Sequence, residues 1–570
     1  MFKKLFLYWH TLRFLRTSQL FWRIFYSIRR QCRLYRVPQV SDPPPSFNPE
    51  ALRRLSEFLE KCSRFDLHRM ADIVALRNQS FCFLNRPAEN TGEIPWRDRH
   101  YPKLWLYQLH SFSFGRDFAI NAAGDDYLGD RDRALGWIRD WTHKNPPGSR
   151  PAWDAGPVSD RLLNWALLAA AFKLNDAVVR GSYYCQTRWL EHWLEYDLRA
   201  NHLLKNACAL TLAGEVLNDQ HTLGKGMRLL EEQIKEQFLP DGGHFERSPM
   251  YHIQALWDAL LVYAVLKEKP DFLQSALIHM TSFLEAILHP DGDIPLFGDS
   301  VLRAGPPTPA LLRLARHTLA MASTLSSGRK AGHALESSGF YVLGDPDKNH
   351  CMIVKTAPPS PPFQPGHSHA DLFSYELSLA GQRFIVDSGV HGYAESPLRD
   401  YCRSTRAHNT AQLDDLEQCE TWHTFRIARR PHSISAQFHA SDDCSTLEAV
   451  FAHYAGFQYR RVIHFDRETC TWEIHDTMQA APGKHELKSF VHFHPAWEVA
   501  LSNNTITASS GTMRGRIVVE LSESHKIKYA LDKSSCQYCP EFGVASPSPT
   551  VILHCYGSAP LHLVYKISVS

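Results

Sequence analysis

Between Asn48 and Leu325 apolar side chains recur at spacings of three and four, the period of helices with one buried face. Leu162, Leu163, Trp165, Ala166, Leu168, Ala169 and Phe172 show it within one segment. The pattern predicts helices over Ala51 to Cys62, Asp130 to Lys144, Ser159 to Lys173, Gly181 to Ala200, His202 to Leu217, Thr222 to Gln237, Tyr251 to Lys267, Leu273 to Leu288 and Pro309 to Leu325. Short connections make consecutive helices antiparallel neighbours. A run of such hairpins without a regular repeat closes most economically into an α/α toroid, an incomplete helical barrel, rather than a solenoid.

After a loop at Gly328 to Gly332 the pattern changes to short runs, most of them rich in β-branched and aromatic residues and punctuated by turn residues. Strands are predicted over Phe340 to Gly344, Met352 to Thr356, Leu372 to Leu379, Arg383 to Val386, Arg461 to Phe465, Thr471 to Asp476, Ser489 to His494, Thr505 to Ser509, Arg516 to Leu521 and Val551 to Tyr556. Asp345-Pro346-Asp347 and Ala380-Gly381 read as hairpin connections, and the whole as an antiparallel β-sandwich. The expected fold is α+β multidomain: an N-terminal segment 1–47, a toroid 48–328 and a β-sandwich 329–570.

The N-terminal segment is basic and amphipathic. Lys3, Lys4, Arg13, Arg16, Arg23, Arg29, Arg30, Arg33 and Arg36 all precede the first acidic residue, Asp42, and aromatic and aliphatic residues alternate with them. Charges interrupt every apolar run, so neither a transmembrane span nor a signal peptide with a small-residue cleavage site is expected. Such a segment docks onto the protein or a partner, or lies on an anionic membrane. The expected location is the cytoplasm or the inner face of the membrane.

Composition narrows the partners. A chain of 570 residues, 44% hydrophobic and 21% charged, exceeds one ordinary core and reads as globular. A net charge of +2 carries no electrostatic signature of nucleic acid binding. Thirteen cysteines are scattered; Cys536 and Cys539 come nearest to a metal-type spacing, without a second pair, so reduced thiols are expected.

Candidate chemistry centres on Gly366-His367-Ser368-His369-Ala370-Asp371, whose two histidines would share one face of a strand. With Asn201-His202-Leu203, Tyr251-His252, Phe297-Gly298-Asp299-Ser300, Val386-Asp387-Ser388-Gly389 and His408-Asn409-Thr410, in this order and domain context, the chain from about Tyr101 onward resembles the heparinase II/III family of polysaccharide lyases. The basic segment resembles that of members from exopolysaccharide or capsule gene clusters.

The resemblance implies β-elimination on an acidic, uronic-acid polysaccharide: removal of the C5 proton and expulsion of the group at C4. In that chemistry Asn201 hydrogen-bonds the substrate carboxylate as charge builds on it, besides standing where it can cap a helix. Tyr251 can protonate the departing O4 and, with a depressed pKa, also abstract the C5 proton. His367 matches the family's catalytic histidine and His202 is a further candidate. In some relatives a structural zinc is held by a set comparable to His369, Asp387 and His408; no organic cofactor is implied. Trp153, Arg161 and Asn164, with Arg403 and Arg406 in an Arg399-containing loop, are candidate sugar binders. Two rival readings stand beside this one: a glycoside hydrolase using Glu246 and Asp299 as a carboxyl pair, and a non-catalytic carbohydrate-binding protein in polysaccharide assembly. Substrate sugar and oligomeric state are not encoded in any motif found.

Overall fold

The computed structural model describes the chain except residues 1, 33–36, 68–69, 90–91, 125–127, 322–330, 432, 503, 521–524 and 570. Fourteen helices among the described residues precede the main β region. Asp130–Lys144 matches the expected helix at both ends, and Ala155–Ala171, Ala200–Val216, Gln220–Gln237, Pro249–Val265 and Asp271–Ala286 begin about two to four residues earlier than the apolar period suggests. Capping explains two of these offsets, since Asp219 and Ser248 accept backbone N–H groups at the starts of Gln220–Gln237 and Pro249–Val265. The helix expected at Pro309 to Leu325 is observed as Thr308–Thr318, with 322–325 outside the described residues. The boundary placed at 328/329 also falls outside them. Lys103–His110 and Ser113–Gly124 are further helices that the apolar period did not single out.

The helices form two layers. Ala155–Ala171, Ala200–Val216 and Pro249–Val265 are apolar on nearly all sides and almost wholly buried, whereas Pro49–Arg64 and Gln220–Gln237 bury one stripe. An all-round apolar helix must be surrounded, and the amphipathic helices surround these three, which is the layered construction of an α/α toroid. Ala200–Val216 and Gln220–Gln237 approach closely because a Cβ on Gly214 would stand 2.4 Å from the Leu223 nitrogen.

Two buried histidines record how dry this interior is. His110 accepts the Trp141 indole N–H at 3.1 Å and His252 lies 2.9 Å from the Met280 carbonyl; burial pushes their pKa values down to about 3 and about 4. Unfolding returns both to about 6.5, so below that pH the unfolded state binds more protons and stability falls as pH is lowered. Each is expected to contribute up to about 1.4 kcal/mol per pH unit between pH 6.5 and its folded value. Urea titrations at pH 7.5 and 5.5 measure this, and a midpoint that does not fall would contradict it.

In the β region every strand pairing between named strands is antiparallel. An eight-stranded sheet runs from Ser433–Ala440 to Glu498–Ser502, a four-stranded sheet contains Thr550–Ser558 and Lys484–His492, and a five-stranded sheet spans Gly332–Leu335 to Gln382–Ile385. Cys444–Ala452, Gln458–Asp466 and Thr471–Gln479 alternate buried and less buried residues, so one face meets a core. The five-stranded sheet is different. Phe340 and Val342 join the core of the helices, while Tyr341 and Leu343 join that of the sandwich. Buried on both faces, Phe340–Leu343 reads as an unbroken apolar run and ties the two regions together. Ala380 and Gly381, both at positive φ, make the hairpin between Ser374–Leu379 and Gln382–Ile385.

Residues 2–31 form two helices, Phe2–Leu12 and Thr17–Gln31, docked across this junction. Among the described residues no helix is long and apolar enough to cross a membrane. No disulfide is formed between the described cysteines.

Candidate active site at the junction of toroid and sandwich

Tyr251 enters the site at the start of Pro249–Val265. Pro249 occupies the first turn, and the Ser248 hydroxyl accepts the Tyr251 N–H at 3.4 Å while donating to the Asp299 carbonyl at 2.8 Å. This cap joins the helix start to the turn Phe297-Gly298-Asp299-Ser300. The Asp299 N–H donates to the His367 carbonyl at 2.9 Å, and the Gly298 N–H donates to Asp371 at 3.1 Å. Gly298 has φ +60°, and a Cβ there would stand 2.6 Å from the His367 carbonyl oxygen, so only glycine lets the turn lie against the histidine motif.

The motif is not a strand. Gly366 to Asp371 lies in an irregular segment before Ser374–Leu379, which corrects the expectation of two imidazoles projecting from one strand face. They converge for another reason: both bond one carboxylate. His367 Nδ1 is 2.9 Å from Asp299 Oδ2 and His369 Nε2 is 2.8 Å from Asp299 Oδ1, and Arg399 grips both oxygens from the other side. Arg399 also donates to the Thr424 carbonyl at 2.9 Å.

Tyr251 meets His367 across the junction, ring centroids 4.0 Å apart. The Tyr251 hydroxyl is 3.0 Å from that of Tyr393, and Phe425 closes the far side 6.0 Å from the His367 ring. Sequence reasoning missed Tyr393 and Phe425. The one cue to Tyr393 is its position four residues past Val386-Asp387-Ser388-Gly389.

Asn201 sits inside the first turn of Ala200–Val216 rather than at its cap, which is Arg199, so the capping role is corrected. Arg199 and Ala200 both adopt positive φ, +62° and +50°, a backbone cost of the kind that collects at functional sites. The Asn201 N–H points to Glu246 Oε1 at 3.5 Å, and its side-chain amide makes no hydrogen bond with the rest of the described protein. Beside it His202 Nδ1 lies 3.1 Å from Glu195. Glu246 is buried, with Oε2 lacking any hydrogen-bond partner.

Electrostatics sort these groups by proton state. Burial would raise Asp299, but Arg399 and the two histidines hold it well below the usual carboxylate range, so it is a fixed anion with every lone-pair direction engaged. Burial pushes the Glu246 carboxyl up, and neighbouring His367 and His202 offset only part of this. Burial and the Asp299 charge push the Tyr251 phenol well above its ordinary value, with Tyr393 acting weakly the other way. For His202 burial acts downward, yet Glu195 and Glu246 leave its pKa raised. A carboxyl pair for hydrolysis is therefore not available: Asp299 can neither donate a proton nor accept one from water.

Several candidate binders lie elsewhere. Trp153 is buried against Trp141 and Trp189, its indole bonded to the Asn145 carbonyl. Arg161 is fully buried, donating to Gln186 and the His110 and Ala152 carbonyls with its guanidinium 3.8 Å from the Trp141 ring. Asn164 donates to the Ser111 carbonyl. These three build the toroid core, and their sugar-binding assignment is corrected. Arg403 is likewise buried, holding the His423, Ser368 and Arg426 carbonyls that shape the site wall. Arg406 is exposed, 5.4 Å from the Tyr401 ring.

The proposed zinc ligands do not form a three-ligand set. Asp387 bonds His408 Nδ1 at 2.8 Å and accepts the Gly389 N–H at 3.2 Å. His369 spends Nε2 on Asp299, and only His369 Nδ1 and His408 Nε2 are buried without partners. Among the described residues no group of three or more His, Cys, Asp or Glu is arranged to hold a metal.

A double-layered helical toroid facing an antiparallel β-sandwich, with a tyrosine from the first stacked on a carboxylate-held histidine from the second, defines a two-domain class whose site lies at the junction. Family models match both parts: heparinase II/III N-terminus over residues 68–309 and heparinase II/III-like, C-terminal, over 327–561. The chain belongs to the heparinase II/III family. It is 30% identical over 351 residues to a heparin-sulfate lyase of Pedobacter heparinus, covering 54% of this chain and 52% of that one. It is 27% identical over 299 residues to FtsZ-localized protein C of Caulobacter vibrioides, covering 50% and 48%. The crystal structure of heparinase III superposes with a TM-score of 0.70 at 16% identity, covering 95% and 88%, a likeness of fold. This chain spans about half the length of both curated relatives.

Proposed function

We propose that the protein is a polysaccharide lyase that cleaves a uronic-acid glycoside by β-elimination, with a glycosaminoglycan-like acidic polysaccharide as substrate. The observation that carries this is the 4.0 Å stack of Tyr251 on His367, with His367 Nδ1 held by Asp299. Bonded in this way, the ring keeps its proton on Nδ1 and presents the Nε2 lone pair, the form of a general base. The same carboxylate is gripped by Arg399, which fixes Asp299, and with it the His367 ring, in place.

In the proposed reaction His367 Nε2 takes the C5 proton and the electron pair forms the C4–C5 double bond. The C4–O4 bond breaks, and Tyr251, kept protonated by its surroundings, gives its proton to O4. The Tyr251 hydroxyl is held 3.0 Å from that of Tyr393. The C5 proton is only weakly acidic unless charge on the substrate carboxylate is relieved. The unpaired Asn201 amide and the raised Glu246 carboxyl offer hydrogen bonds for that charge. Replacement Asn201→Ala is expected to lower kcat/KM about 10²–10³-fold, the effect of one oxyanion-type donor. Initial rates measure it; a loss below tenfold would remove Asn201 from the site.

The named lyase activity of the Pedobacter heparinus relative supports a sulfated uronate polymer as the first substrate to try. Incubation with heparan sulfate, chondroitin sulfate and bacterial acidic exopolysaccharides separates the alternatives. Elimination raises ultraviolet absorbance through its conjugated unsaturated product; a hydrolase yields reducing ends without absorbance, and a binding protein yields neither. The basic first helices support a location at the inner membrane surface.

A further inference from the structure

Ten of the seventeen exposed large hydrophobic side chains among the described residues lie between Leu5 and Ile28, in the two helices that open the chain. Their inner faces are docked. Trp422 donates to Thr11 at 3.1 Å and Arg430 lies 3.9 Å from the Phe14 ring, fastening Phe2–Leu12 to the β region. The Tyr26 hydroxyl donates to the Leu194 carbonyl at 2.6 Å and Trp22 stacks on Tyr196, fastening Thr17–Gln31 to the helical region. Arg16 between them pairs with Glu236 at 2.7 Å. What faces outward is therefore held rigidly.

That outer surface has a helical spacing of its own. Leu5, Trp9 and Leu12 repeat at four and three in the first helix, and Phe21, Ile24 and Ile28 at three and four in the second. Trp9 is 66% exposed, Phe21 59% and Ile24 61%, more than isolated surface hydrophobes require. Lys4, Arg13 and Arg30 are exposed alongside, and no acidic residue occurs before Asp42. Apolar rings that seat in acyl chains, flanked by cations in helices that carry no acidic residue of their own, complement one kind of surface: a bilayer bearing anionic headgroups. A second copy of this chain would meet the same excess of positive charge with no acidic residue from these helices to answer it.

We propose that the outer face of these two helices seats the protein on an anionic membrane surface as a peripheral, non-spanning contact. Because the helices grip both the 192–197 loop beside Asn201 and the 419–430 hairpin beside His367, the site is held at a set orientation to that surface. Substrate reaching the junction is then polymer lying along or tethered to the bilayer.

The test is flotation of the full chain with phosphatidylcholine vesicles, with and without phosphatidylglycerol. Binding is expected only with phosphatidylglycerol, and is expected to weaken as salt rises. A Trp9→Glu, Phe21→Glu, Ile24→Glu triple variant, and separately Lys4→Glu with Arg13→Glu, should each cut partitioning about tenfold or more. Thermal unfolding serves as the check that they remain folded. Equal recovery with both vesicle types, no binding to either, unchanged binding by both folded variants, or a dimer in solution that the triple variant dissolves would each overturn the proposal. None of these readouts depends on lyase activity.

Discussion

Tyr251→Phe is expected to lower kcat about 10²–10⁴-fold, the range for removing a general acid from an elimination step. The fold should be unaffected. The lost hydroxyl has Tyr393 as its hydrogen-bond partner, at 3.0 Å, while the ring stacked on His367 is retained. Substrate affinity should change little, because in the proposed elimination the proton is passed only as the C4–O4 bond breaks, so the loss falls on kcat rather than KM. Direction matters as well as size. Burial and Asp299 hold the phenol above its ordinary pKa, so at neutral pH it enters the reaction carrying its proton. Rates with a substrate whose C4 leaving group is a good one, such as an activated phenol, should therefore be rescued in the variant. A kcat within tenfold of the parent, or no rescue, would move the acid role to another residue.

Asp299→Asn is expected to have the largest effect on stability, about 3–5 kcal/mol, the cost of breaking a buried ion pair from one side. Arg399 would remain buried without its counter-ion, and the single amide oxygen can accept at most two of the four hydrogen bonds that the two carboxylate oxygens now share. The amide N–H₂ would also face a donor, His367 or His369, and reverse the tautomer that presents the His367 lone pair. Activity should then fall even at temperatures where the variant is fully folded. Urea unfolding measures the first effect and initial rates below the transition the second. A loss under about 1 kcal/mol would mean that Arg399 finds another partner, and the pair would not be the anchor assigned to it. The acid side of the stability profile carries the same group: Asp299 stays ionised well below the ordinary carboxylate range, so its contribution is lost only as pH falls through its depressed folded value.

The extent to which the sequence could be read differs by element for physical reasons. Helices with a single buried face announce themselves by period, and Asp130–Lys144 was placed to the residue. Alternation likewise gave the start of Thr471–Gln479, expected to end at Asp476, while Ser433–Ala440 escaped because its residues alternate between exposed and half-buried and none is fully buried. Gly366 to Asp371 invited a strand reading because His-x-His suits a strand; its actual shape is imposed by Asp299, 68 residues away in sequence from His367. Trp153, Arg161 and Asn164 looked like a sugar platform because polar and aromatic groups one turn apart are what such a platform needs. A toroid core uses the same pairing for a buried guanidinium.

The chain by itself determined the order of helical and β regions and the family, and singled out Asn201, Tyr251 and His367 as candidates, because hydrophobic period and short motifs are local properties. The tertiary structure decided proton states and partnerships: that Asp299 serves His367, His369 and Arg399 together, that Asp387 bonds His408, and that Tyr393 completes the Tyr251 site. These depend on burial and on distances between residues far apart in the chain. A carboxylate written in the sequence is equally an acid, a ligand or a counter-ion until its neighbours fix the charge it carries.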